Sequence, residues 1–476
     1  MNTATTLKDL PGDTSAPARA LEMQRLAYRR DPSPTQAQRT ESLKRLEAAV
    51  RQNKDAFAAA VSADFGNRAV PETMLAEVAP VLAAIAFARR HLGQWMRPQR
   101  RRVGMNFQPG KAWVEWHPLG CVGIVSPWNY PLLLTFSPLA DALAAGNRVL
   151  LKPSELTPRC SALLAQVVAD TFDPAQVAVV TGGADVARAF CALPFDHLLF
   201  TGSTSVGRQV MRAAADNLVP VTLELGGKSP VIVCRDFGLA AAAKSVALGK
   251  FFSAGQTCIA PDYALVPSDL AEPFARAVLA EAQRMFPSIA GNPDYTSVAS
   301  DGHFSRLRGL LAEAEAGGGQ VLRLQEDAEA ERRLAPTVVL NPPLDGTLMR
   351  DEIFGPVLPV VGYQDLAEAV AFVNARPRPL ALYVFSHDRA STDQVLAQAV
   401  SGGVSVNSTL LHCIQDDLPF GGIGPSGMGA YHGRDGFMRL SHARGVYKPG
   451  KFSGTAMLAP PYGKLAKLAL RYMTGK

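Results

Sequence analysis

The sequence predicts an α/β protein with a doubly wound parallel sheet and a second α/β domain, and three observations support this fold class. Five short apolar segments alternate with four helical segments between residues 120 and 225. A second series of strand and helix candidates follows between residues 229 and 407. The chain of 476 residues is longer than one hydrophobic core usually supports, so two or three domains are expected. In parallel sheets of this kind, ligands bind outside the carboxyl ends of the strands.

Composition and charge argue against several functional classes. The chain is 47% hydrophobic and 19% charged, and its net charge of +6 is spread along the sequence. Six cysteines form no CxxC or Cys/His pattern, so neither a disulfide framework nor a metal site is expected, and a reducing compartment fits. The one tight basic cluster has no interleaved aromatic residues, which favours a solvated face over a nucleic-acid site: Arg97, Arg100, Arg101 and Arg102.

Targeting and membrane segments are not expected. Residues 1–18 are rich in Thr, Pro, Ala and Asp and are predicted to form a loose tail. The N-terminus contains no apolar segment typical of a signal peptide. No uncharged apolar run reaches the roughly 18 residues that a membrane span needs. The expectation is a cytoplasmic protein without a membrane span.

The first hundred residues are predicted to be helical covering layers. Apolar residues recur at helical spacing over residues 20–60 and again over 72–96, with a break at 31–34. Apolar alternation then changes to the spacing of strands over residues 103–107 and 113–116, on either side of Pro109-Gly110. This segment predicts a β-hairpin that projects from the body as an arm for dimerisation.

The central part of the chain supplies the two sheets. The first sheet is predicted from strands at 121–126, 148–151, 177–180, 197–200 and 221–225, with helices at 139–145, 156–172, 185–193 and 206–217. The second is predicted from strands at 231–234, 264–266, 337–340, 358–361, 382–385 and 404–406. A glycine-rich stretch at 419–433 follows. The tail 460–476 is predicted to be a short basic amphipathic helix, for which packing on protein is favoured over contact with a membrane surface.

Three residues are candidates for chemistry on the substrate. Cys258 lies among small and polar residues in FFSAGQTCIA (251–260), which leaves room for a substrate to reach the sulfur. Asn129 in PWNYP (127–131) is a rigidly held amide that could donate to an oxyanion. Glu224 ends a buried strand, where burial would raise its pKa and suit it to act as a general base. Taken singly, each has an ordinary alternative: a core cysteine, a turn asparagine and a surface glutamate.

Three further motifs could hold a nucleotide. The turn TGSTSVG (201–207), with Gly202, Ser203 and Gly207, follows a strand and opens a helix, so it could bind a phosphate or simply cap the helix. Lys152 and Glu155 in LKPSE (151–155) could bind ribose hydroxyls or belong to a helix cap. Glu352 and Phe354, in a loop before a strand, could hold a nicotinamide riboside or merely anchor the loop.

The set of motifs is far more specific than any member. In order they are PWN, KPSE, GSTxxG, ELGGK, GQTC and EIFGP. Together they resemble the NAD(P)-dependent aldehyde dehydrogenase superfamily. FGNRAVPETMLAEV (65–78), HLGQWMRP (91–98) and residues 416–437 resemble the branch of class 3, fatty-aldehyde and coniferyl aldehyde dehydrogenases. Segments 407–422 and 460–465 are most similar to the coniferyl aldehyde dehydrogenases.

The resemblance implies a fold and a division into domains. It implies the aldehyde dehydrogenase fold: a Rossmann-like cofactor domain, an α/β catalytic domain and a small β arm for oligomerisation. The cofactor domain would comprise residues 1–102 and 119–225, and the catalytic domain residues 226–408. Bridging and oligomerisation segments would be 103–118 and 409–455, followed by a tail at 456–476. A homodimer is the expected assembly.

The resemblance also implies a mechanism. Cys258 would attack the aldehyde carbon, and the side chain of Asn129 with the Cys258 backbone N–H would hold the oxyanion of the thiohemiacetal. Hydride loss would leave a thioester, which water activated by Glu224 would hydrolyse. The expected reaction is oxidation of coniferyl aldehyde to ferulate, with medium- or long-chain aldehydes or benzaldehydes as alternatives. A CoA-acylating relative is disfavoured because such enzymes generally lack a glutamate equivalent to Glu224. A non-catalytic binding protein is disfavoured because Cys258, Asn129 and Glu224 are all present.

Cofactor and substrate positions follow by the same similarity. Lys152 and Glu155 would bind the adenosine ribose, Gly202, Ser203 and Gly207 the pyrophosphate, and Glu352 with Phe354 the nicotinamide riboside. Glu155 favours NAD, because a carboxylate repels a 2′-phosphate, although NADP remains an alternative. No metal is expected. Nearness in sequence to these positions nominates aromatic residues for the substrate channel: Trp128, Tyr130, Phe252, His412 and Phe420.

Overall fold

A computed structural model of the chain describes residues 13–451 and 459–475. The predicted N-terminal tail lies largely outside the described residues, and a helix already begins at Ala16. The helical N-terminal region is confirmed. It consists of α1 (Ala16–Arg30), α2 (Gln36–Phe65) and α3 (Val70–Trp95), the last containing a π-helical turn at Met74–Val78.

The first of these boundaries have local causes. Thr35 caps α2 through a capping box with Gln38. The interruption of helix predicted at 31–34 therefore ends where this cap starts α2. Gly66 ends α2 in the left-handed region, at a φ of 86°, which favours glycine.

One helix among the described residues is long and apolar enough to cross a membrane by length and composition alone. This helix is α3, whose most apolar window has a mean hydropathy of 1.5. Its apolar stripe is packed inside the protein, with Val81, Ile85, Ala88 and Leu92 fully buried in the largest hydrophobic core. The helix is therefore part of the core of a folded α/β domain.

The β-hairpin predicted around residues 109–110 differs from the structure in one of its strands. β1 (Gln99–Arg101) pairs antiparallel with β2 (Lys111–Pro118), so the partner strand lies earlier than predicted. The apolar residues at 105 and 107 fall instead in a 3₁₀ turn, Met105–Phe107. The carbonyl of Phe107 accepts from the Gly110 N–H at 2.9 Å, and this tight turn takes Phe107 out of the ladder.

The first parallel sheet has the five predicted strands with small shifts at their ends. They are β3 (Cys121–Val125), β4 (Arg148–Lys152), β5 (Val177–Val179), β6 (His197–Gly202) and β7 (Val221–Leu225). Their order in space is β7-β6-β3-β4-β5, all parallel. The connecting helices are α4 (Leu133–Ala145), α5 (Pro158–Thr171), α6 (Ala184–Cys191) and α7 (Thr204–Ala215).

The second sheet contains the six predicted strands and one more. In chain order these are β8 (Pro230–Val233), β9 (Tyr263–Pro267), β10 (Gln320–Arg323), β11 (Thr337–Leu340), β12 (Val357–Tyr363), β13 (Ala381–Phe385) and β14 (Gly403–Val406). The additional strand, β10, is an antiparallel edge strand, and the spatial order is β10-β11-β12-β9-β8-β13-β14. Its helices are α8 (Leu239–Phe251), α9 (Ala271–Met285), α10 (Asp301–Ala316), α11 (Thr347–Arg350), α12 (Leu366–Asn374) and α13 (Arg389–Gln398).

The C-terminal region returns to the first sheet and to the hairpin. β15 (Gly427–Met428) joins β7 as an antiparallel edge, α14 (Gly433–Arg439) packs on α4, and β16 (Ser441–Lys448) pairs with β2. The result is a separate three-stranded antiparallel sheet, β1-β2-β16. The predicted terminal helix is present as α15 (Lys464–Thr474). The domain boundaries given above remain a prediction, although the two parallel sheets draw their strands from either side of residues 225–230.

Hydrophobic side chains cover both faces of each parallel sheet. One face of the first sheet packs against α2–α5 and the other against α1, α6 and α7. Because its strands are buried on both faces, they contain near-continuous apolar runs, as parallel strands do. Only the strand ends and the loops that follow them are left for polar chemistry.

Candidate active site

The carboxyl ends of β3, β6 and β7 meet two loops of the second α/β region around a cavity of about 230 Å³. The first loop follows α8 and carries Cys258, and the second precedes β12 and carries Glu352. The cavity gathers nine of the residues selected from the sequence: Trp128, Asn129, Gly202, Ser203, Glu224, Cys258, Glu352, Phe354 and Phe420. Tertiary structure thus brings together residues that are distant in the sequence: Trp128 and Phe420 are more than 290 residues apart.

The loop that carries Cys258 has an unusual backbone. Three consecutive residues have positive φ: Ser253 at 52°, Ala254 at 49° and Gly255 at 72°. A Cβ at position 255 would lie 2.3 Å from the carbonyl oxygen of Gly355, so the loop can approach its neighbour only with glycine there. Strain of this kind is held in place only when the surroundings over-determine it, which is typical of functional loops.

The thiol of Cys258 is half-buried and lies near acidic groups rather than basic ones. Burial raises the pKa of this thiol, and the charges of Glu352, Cys413 and Glu224 raise it further. The neutral thiol is therefore the favoured form in the protein as described. A thiolate nucleophile must be generated by a proton acceptor inside the cavity.

Asn129 lines the same cavity as Cys258, and hydrogen bonds hold both its side chain and its backbone. The side chain is buried, and its Nδ2 donates to the carbonyl oxygen of Gln256 at 3.1 Å. Its own backbone carbonyl accepts from the guanidinium of Arg68 at 2.8 Å. The amide nitrogen carries a second hydrogen that the bond to Gln256 does not use. That hydrogen is available to an electron-rich oxygen in the cavity.

Glu224 is the carboxyl group at the end of β7. Its backbone pairs with Thr201 on β6 and with Gly427 on β15, which fixes the direction of the side chain. Only 2% of the residue is exposed, and neither carboxyl oxygen has a hydrogen-bond partner within residues 13–451 and 459–475. Burial raises the pKa of Glu224 well above its ordinary value of 4.5. An unpaired buried carboxyl of this kind is suited to exchange a proton with water or a substrate.

The loop with Glu352 and Phe354 supplies the opposite wall. Oε1 of Glu352 is buried without a partner in the described part of the chain. Burial, with the charge of Asp262 next, raises the pKa of Glu352 to about 8. Phe354 has a φ of 52° and its ring lies 5.5 Å from that of Trp128, edge to face. The strained backbone keeps an aromatic ring and a carboxyl on the same side of the cavity.

The first residues of the turn at 201–207 line the cavity, whereas Gly207 does not. Ser203 caps α7 by accepting from the Val206 N–H, and both Gly202 and Ser203 line the cavity. The N-terminus of an α-helix attracts phosphate. Gly207 lies inside the helix, where a Cβ would meet Leu225 at 2.6 Å. In this structure Gly207 therefore allows close packing of α7 on β7 and does not line the cavity.

Lys152 and Glu155 lie together at the carboxyl end of β4, and neither lines the cavity. Lys152 is buried, and its Nζ donates to the carbonyl of Pro153 at 2.8 Å and to Glu155 at 3.3 Å. The side chain of Glu155 is 42% exposed. The ammonium group of Lys152 and the carboxylate of Glu155 therefore lie together at the carboxyl ends of the strands, in the same sheet that carries the 201–207 turn.

The five aromatic candidates for a substrate channel separate into two groups. Trp128 and Phe420 line the cavity, whereas Tyr130, Phe252 and His412 do not. The hydroxyl of Tyr130 is bonded to Thr257 Oγ1 at 2.5 Å, so this side chain is used within the protein. His412 shares a hydrogen bond with Ser405 at 2.8 Å and packs 6.4 Å from the ring of Phe420. Burial lowers the pKa of His412 to about 4, so it is neutral at physiological pH.

Two polar residues that organise the site were not selected from the sequence. Gln256 is fully buried and bonds to Asn129, Ser253, Ser297 and Ala299, which ties the Cys258 loop to its surroundings. Arg68 is fully buried and holds the loop of Asn129. The sequence does show that Arg68 is a charged residue next to a predicted apolar helix, which could have marked it as a candidate. Its partners are known only from the contacts in the structure.

The donor set fits a dinucleotide better than a metal ion. The turn that opens α7, the Lys152–Glu155 pair and the unpaired Oε1 of Glu352 could hold phosphate, ribose hydroxyls and a second ribose in turn. No group of three or more His, Cys, Asp or Glu side chains suited to a metal occurs in the described ranges.

Two parallel sheets share one cavity that a cysteine, an amide and a buried carboxyl line, which is an arrangement suited to a cofactor-dependent enzyme. Comparison with known proteins gives the family. The model of the aldehyde dehydrogenase family matches residues 12–446. A probable coniferyl aldehyde dehydrogenase of Pseudomonas aeruginosa is 50% identical, with 93% of this chain and 92% of the relative covered.

Further matches agree with that family. A coniferyl aldehyde dehydrogenase of a Pseudomonas species is 47% identical, over 90% of this chain and 89% of the relative. The substrate-bound structure of AldH from Staphylococcus aureus superposes with a TM-score of 0.91 at 35% identity, covering 96% of this chain and 99% of that one. The chain belongs to the aldehyde dehydrogenase family. It is an oxidoreductase that acts on an aldehyde group with a nicotinamide dinucleotide as the acceptor.

Proposed function

We propose that this enzyme oxidises coniferyl aldehyde to ferulate, using NAD in preference to NADP. The observation that carries the proposal is the similarity to two relatives named for coniferyl aldehyde. They are 50% and 47% identical to this chain over about nine-tenths of its length. The mostly apolar cavity wall, with Trp128 and Phe420, suits a flat aromatic aldehyde. Medium- and long-chain aldehydes and benzaldehydes are the competing substrates.

Cys258 is proposed as the nucleophile. The thiol first gives its proton to a carboxylate that lines the cavity, and the sulfur then attacks the aldehyde carbon. The oxyanion that develops is stabilised by the free N–H of the Asn129 amide and by the backbone N–H of Cys258. The amide is ready for this role, because Gln256 already fixes its orientation. A nicotinamide held by Glu352 and Phe354 would supply the hydride acceptor, and loss of the hydride from the same carbon would leave a thioester on Cys258.

Glu224 is proposed as the base for hydrolysis. Its carboxyl projects into the same cavity as Cys258, without another partner in the described residues to hold its proton. In its ionised form it removes a proton from water, and the resulting attack on the thioester releases the acid and regenerates the thiol. A raised pKa makes this carboxylate a stronger base than an exposed glutamate.

Residues at the sheet edge are proposed to hold the cofactor. Gly202 and Ser203 at the start of α7 bind the pyrophosphate, and Lys152 with Glu155 binds the adenosine ribose. The exposed carboxylate of Glu155 disfavours a 2′-phosphate, which is the basis for preferring NAD. Glu352 and Phe354 hold the nicotinamide riboside from the other domain. Gly207 contributes by packing and not by contact.

The substrate assignment is tested by NADH formation on coniferaldehyde, benzaldehyde and decanal in parallel, with NAD and then NADP. We expect kcat/KM to be highest for coniferaldehyde with NAD. A preference for decanal would replace the proposed substrate with a fatty aldehyde and leave the roles of Cys258, Glu224 and Asn129 in place. Higher kcat/KM with NADP would contradict the role given to Glu155.

Displacing Glu352 is expected to impair cofactor use. A Cβ at Gly226 would lie 1.9 Å from the carboxyl of Glu352, so Gly226→Ala must push that side chain out of position. Because a shift of about 1 Å in a positioned group can cost up to roughly 100-fold, we expect kcat/KM for NAD to fall about 10- to 100-fold. The measurement is initial rate against NAD concentration.

Gly238→Ala is the matched control for this substitution. No atom of the described residues lies within 4 Å of a Cβ built at Gly238, the residue that precedes α8. Its kinetic constants should equal those of the wild type. Unchanged kinetics in Gly226→Ala would show that the position of Glu352 does not matter for the reaction.

Assembly and location are proposed from the sequence and the fold. We propose a cytoplasmic homodimer in which the sheet β1-β2-β16 contributes to the contact between subunits, because this sheet stands apart from both parallel sheets. The basic amphipathic helix α15 is proposed to pack on protein. Its apolar residues Leu465, Leu468 and Tyr472 are 65–81% exposed within one chain, which leaves them free for a partner subunit. Sedimentation of the purified protein as a monomer would contradict the dimer.

A further inference from the structure

A buried ionic cluster lies behind the cavity and takes no part in the mechanism above. It consists of Arg68, Glu72 and Glu77 in the segment FGNRAVPETMLAEV (65–78), where α2 passes into α3. Arg68 is 1% exposed, Glu72 7% and Glu77 0%. None of the three lines the cavity.

Arg68 is bonded to both carboxylates and to the loop of the proposed oxyanion donor. Its Nε donates to Glu72 and its Nη1 to Glu77, each at 3.1 Å. The same Nη1 donates to the backbone carbonyl of Asn129 at 2.8 Å. The guanidinium also lies 4.7 Å from the ring centre of Tyr130, the next residue. One side chain therefore holds Asn129 by its backbone and packs on its neighbour.

Glu77 extends this hold to the rest of the 127–133 loop. Its second carboxylate oxygen accepts the backbone N–H groups of Leu132 at 2.7 Å and Leu133 at 3.2 Å, where α4 begins. Glu77 lies in the π-helical turn Met74–Val78, and such turns occur often at functional sites.

Glu72 connects the cluster to the loop of the nucleophile. Its carboxylate accepts the backbone N–H of Ser253 at 3.2 Å and the hydroxyl of Thr296 at 3.0 Å. Ser253 is the first of the three residues with positive φ that precede Cys258. The cluster thus contacts both loops whose relative position sets the distance between the Asn129 amide and the Cys258 sulfur.

Stability alone is a weak reason for such a cluster. Removing three charged groups from water is costly, and hydrophobic replacements of buried ion pairs are often neutral or stabilising. A buried ionic cluster can instead fix one arrangement of the segments that it joins. Here every hydrogen bond from the cluster to backbone goes to one of the two loops or to the start of α4.

We propose that Arg68, together with Glu72 and Glu77, positions the Asn129 amide against Cys258 and thereby sets the strength of oxyanion stabilisation. This inference rests on the proposed function of Asn129. Arg68 is a positioning residue, because it touches neither the cavity nor the reacting atoms. Replacing Arg68 should lower kcat, and this effect should depend on the presence of the Asn129 side chain.

The decisive experiment is a double-mutant cycle on the full-length enzyme with Arg68→Lys and Asn129→Ala. Lysine keeps a positive charge but cannot reach Glu72, Glu77 and the Asn129 carbonyl at once. We expect Arg68→Lys to lower kcat about 10- to 100-fold, with KM for the aldehyde and Kd for NADH changed less than about threefold. In the Asn129→Ala background, Arg68→Lys should lower kcat less than about twofold, because coupled residues are non-additive.

A purely structural role would give a different result. The effects of the two substitutions on kcat would then multiply, and Kd for NADH would rise in step with the fall in Tm. That outcome, with Asn129→Ala alone impaired, overturns the inference and leaves the proposed function intact. If Asn129→Ala alone retains wild-type kcat, the oxyanion role of Asn129 fails and the inference fails with it.

Two variants serve as controls against simple misfolding. Arg39→Lys alters another buried arginine, which donates to the carbonyls of Pro34, Ala144 and Ala145 and contacts neither loop. It should lower Tm and leave kcat unchanged. Glu77→Gln keeps the shape of the side chain but replaces one of the two acceptor oxygens with an NH2 group. It therefore cannot accept from Arg68 and from the N–H groups of Leu132 and Leu133 at once, and it should reproduce the fall in kcat. A wild-type kcat in Glu77→Gln would contradict the proposal even if Arg68→Lys does not fold.

Discussion

Cys258→Ala is expected to abolish aldehyde oxidation, with a fall in kcat of roughly 10⁴-fold or more, the scale seen when a catalytic nucleophile is removed. The sulfur is the half-buried thiol within the cavity, and its loss removes the covalent route altogether. Folding should be preserved, because the substitution deletes one atom from a residue at the cavity surface. The measurement is NADH formation by the purified variant, with NADH binding measured separately.

Cys413→Ala is the matched control. Cys413 is also half-buried and packs on the same hydrophobic cluster, but it does not line the cavity. This variant should retain activity and should still lose it on alkylation with iodoacetamide, since Cys258 remains. Full dehydrogenase activity in Cys258→Ala, with binding of NADH unchanged, would show that the covalent mechanism is wrong.

Glu224→Gln is expected to slow hydrolysis of the thioester by about 10²- to 10⁴-fold, the contribution usual for general acid–base catalysis. Glutamine has the shape of glutamate but cannot accept a proton from water. NADH should therefore appear in a burst of about one equivalent per active site and then only slowly. Intact-mass spectrometry should show the enzyme with one acyl group added.

Glu352→Gln provides the contrast. This residue is proposed to hold the nicotinamide riboside, so its variant should slow formation of NADH and show no burst. The same measurement then separates the two buried carboxyls that line one cavity. Steady turnover in Glu224→Gln at the wild-type rate, with no acyl enzyme detected, would remove Glu224 from the mechanism.

The pH dependence follows from the same carboxyl. Burial raises the pKa of Glu224, so the folded protein binds its proton more tightly than the unfolded chain does. The base is ionised only as pH rises through the folded pKa, and hydrolysis of the thioester should rise with it. Stability changes in the opposite sense: ionising this buried carboxyl lowers the free energy of unfolding as pH rises above 4.5. Both trends should be absent in Glu224→Gln.

Much of the fold could be predicted because its strands are local patterns. Each of the eleven predicted strands in the two parallel sheets is present within two residues at either end, since buried parallel strands are short apolar runs. The errors have one cause. β10, β15 and the true partner of β2 are edge or antiparallel strands that contain Gly, Gln or Arg, and they form through pairing with distant segments. Apolar alternation at residues 103–107 was misleading because the chain there turns within itself.

The sequence by itself determined the family, the order of the motifs and the chemical identity of the candidate groups. Those properties depend on which residue types lie close together along the chain, and that information can be read without knowing how the domains are arranged. Tertiary structure alone decided which groups share a cavity: Glu224 and Cys258 do, whereas Tyr130, His412 and Gly207 serve packing and hydrogen bonding within the protein. It also decided that Arg68 meets the loops of Asn129 and Cys258. Such contacts arise because buried charges must find partners, and the partners of Arg68 lie as far as 61 residues away along the chain.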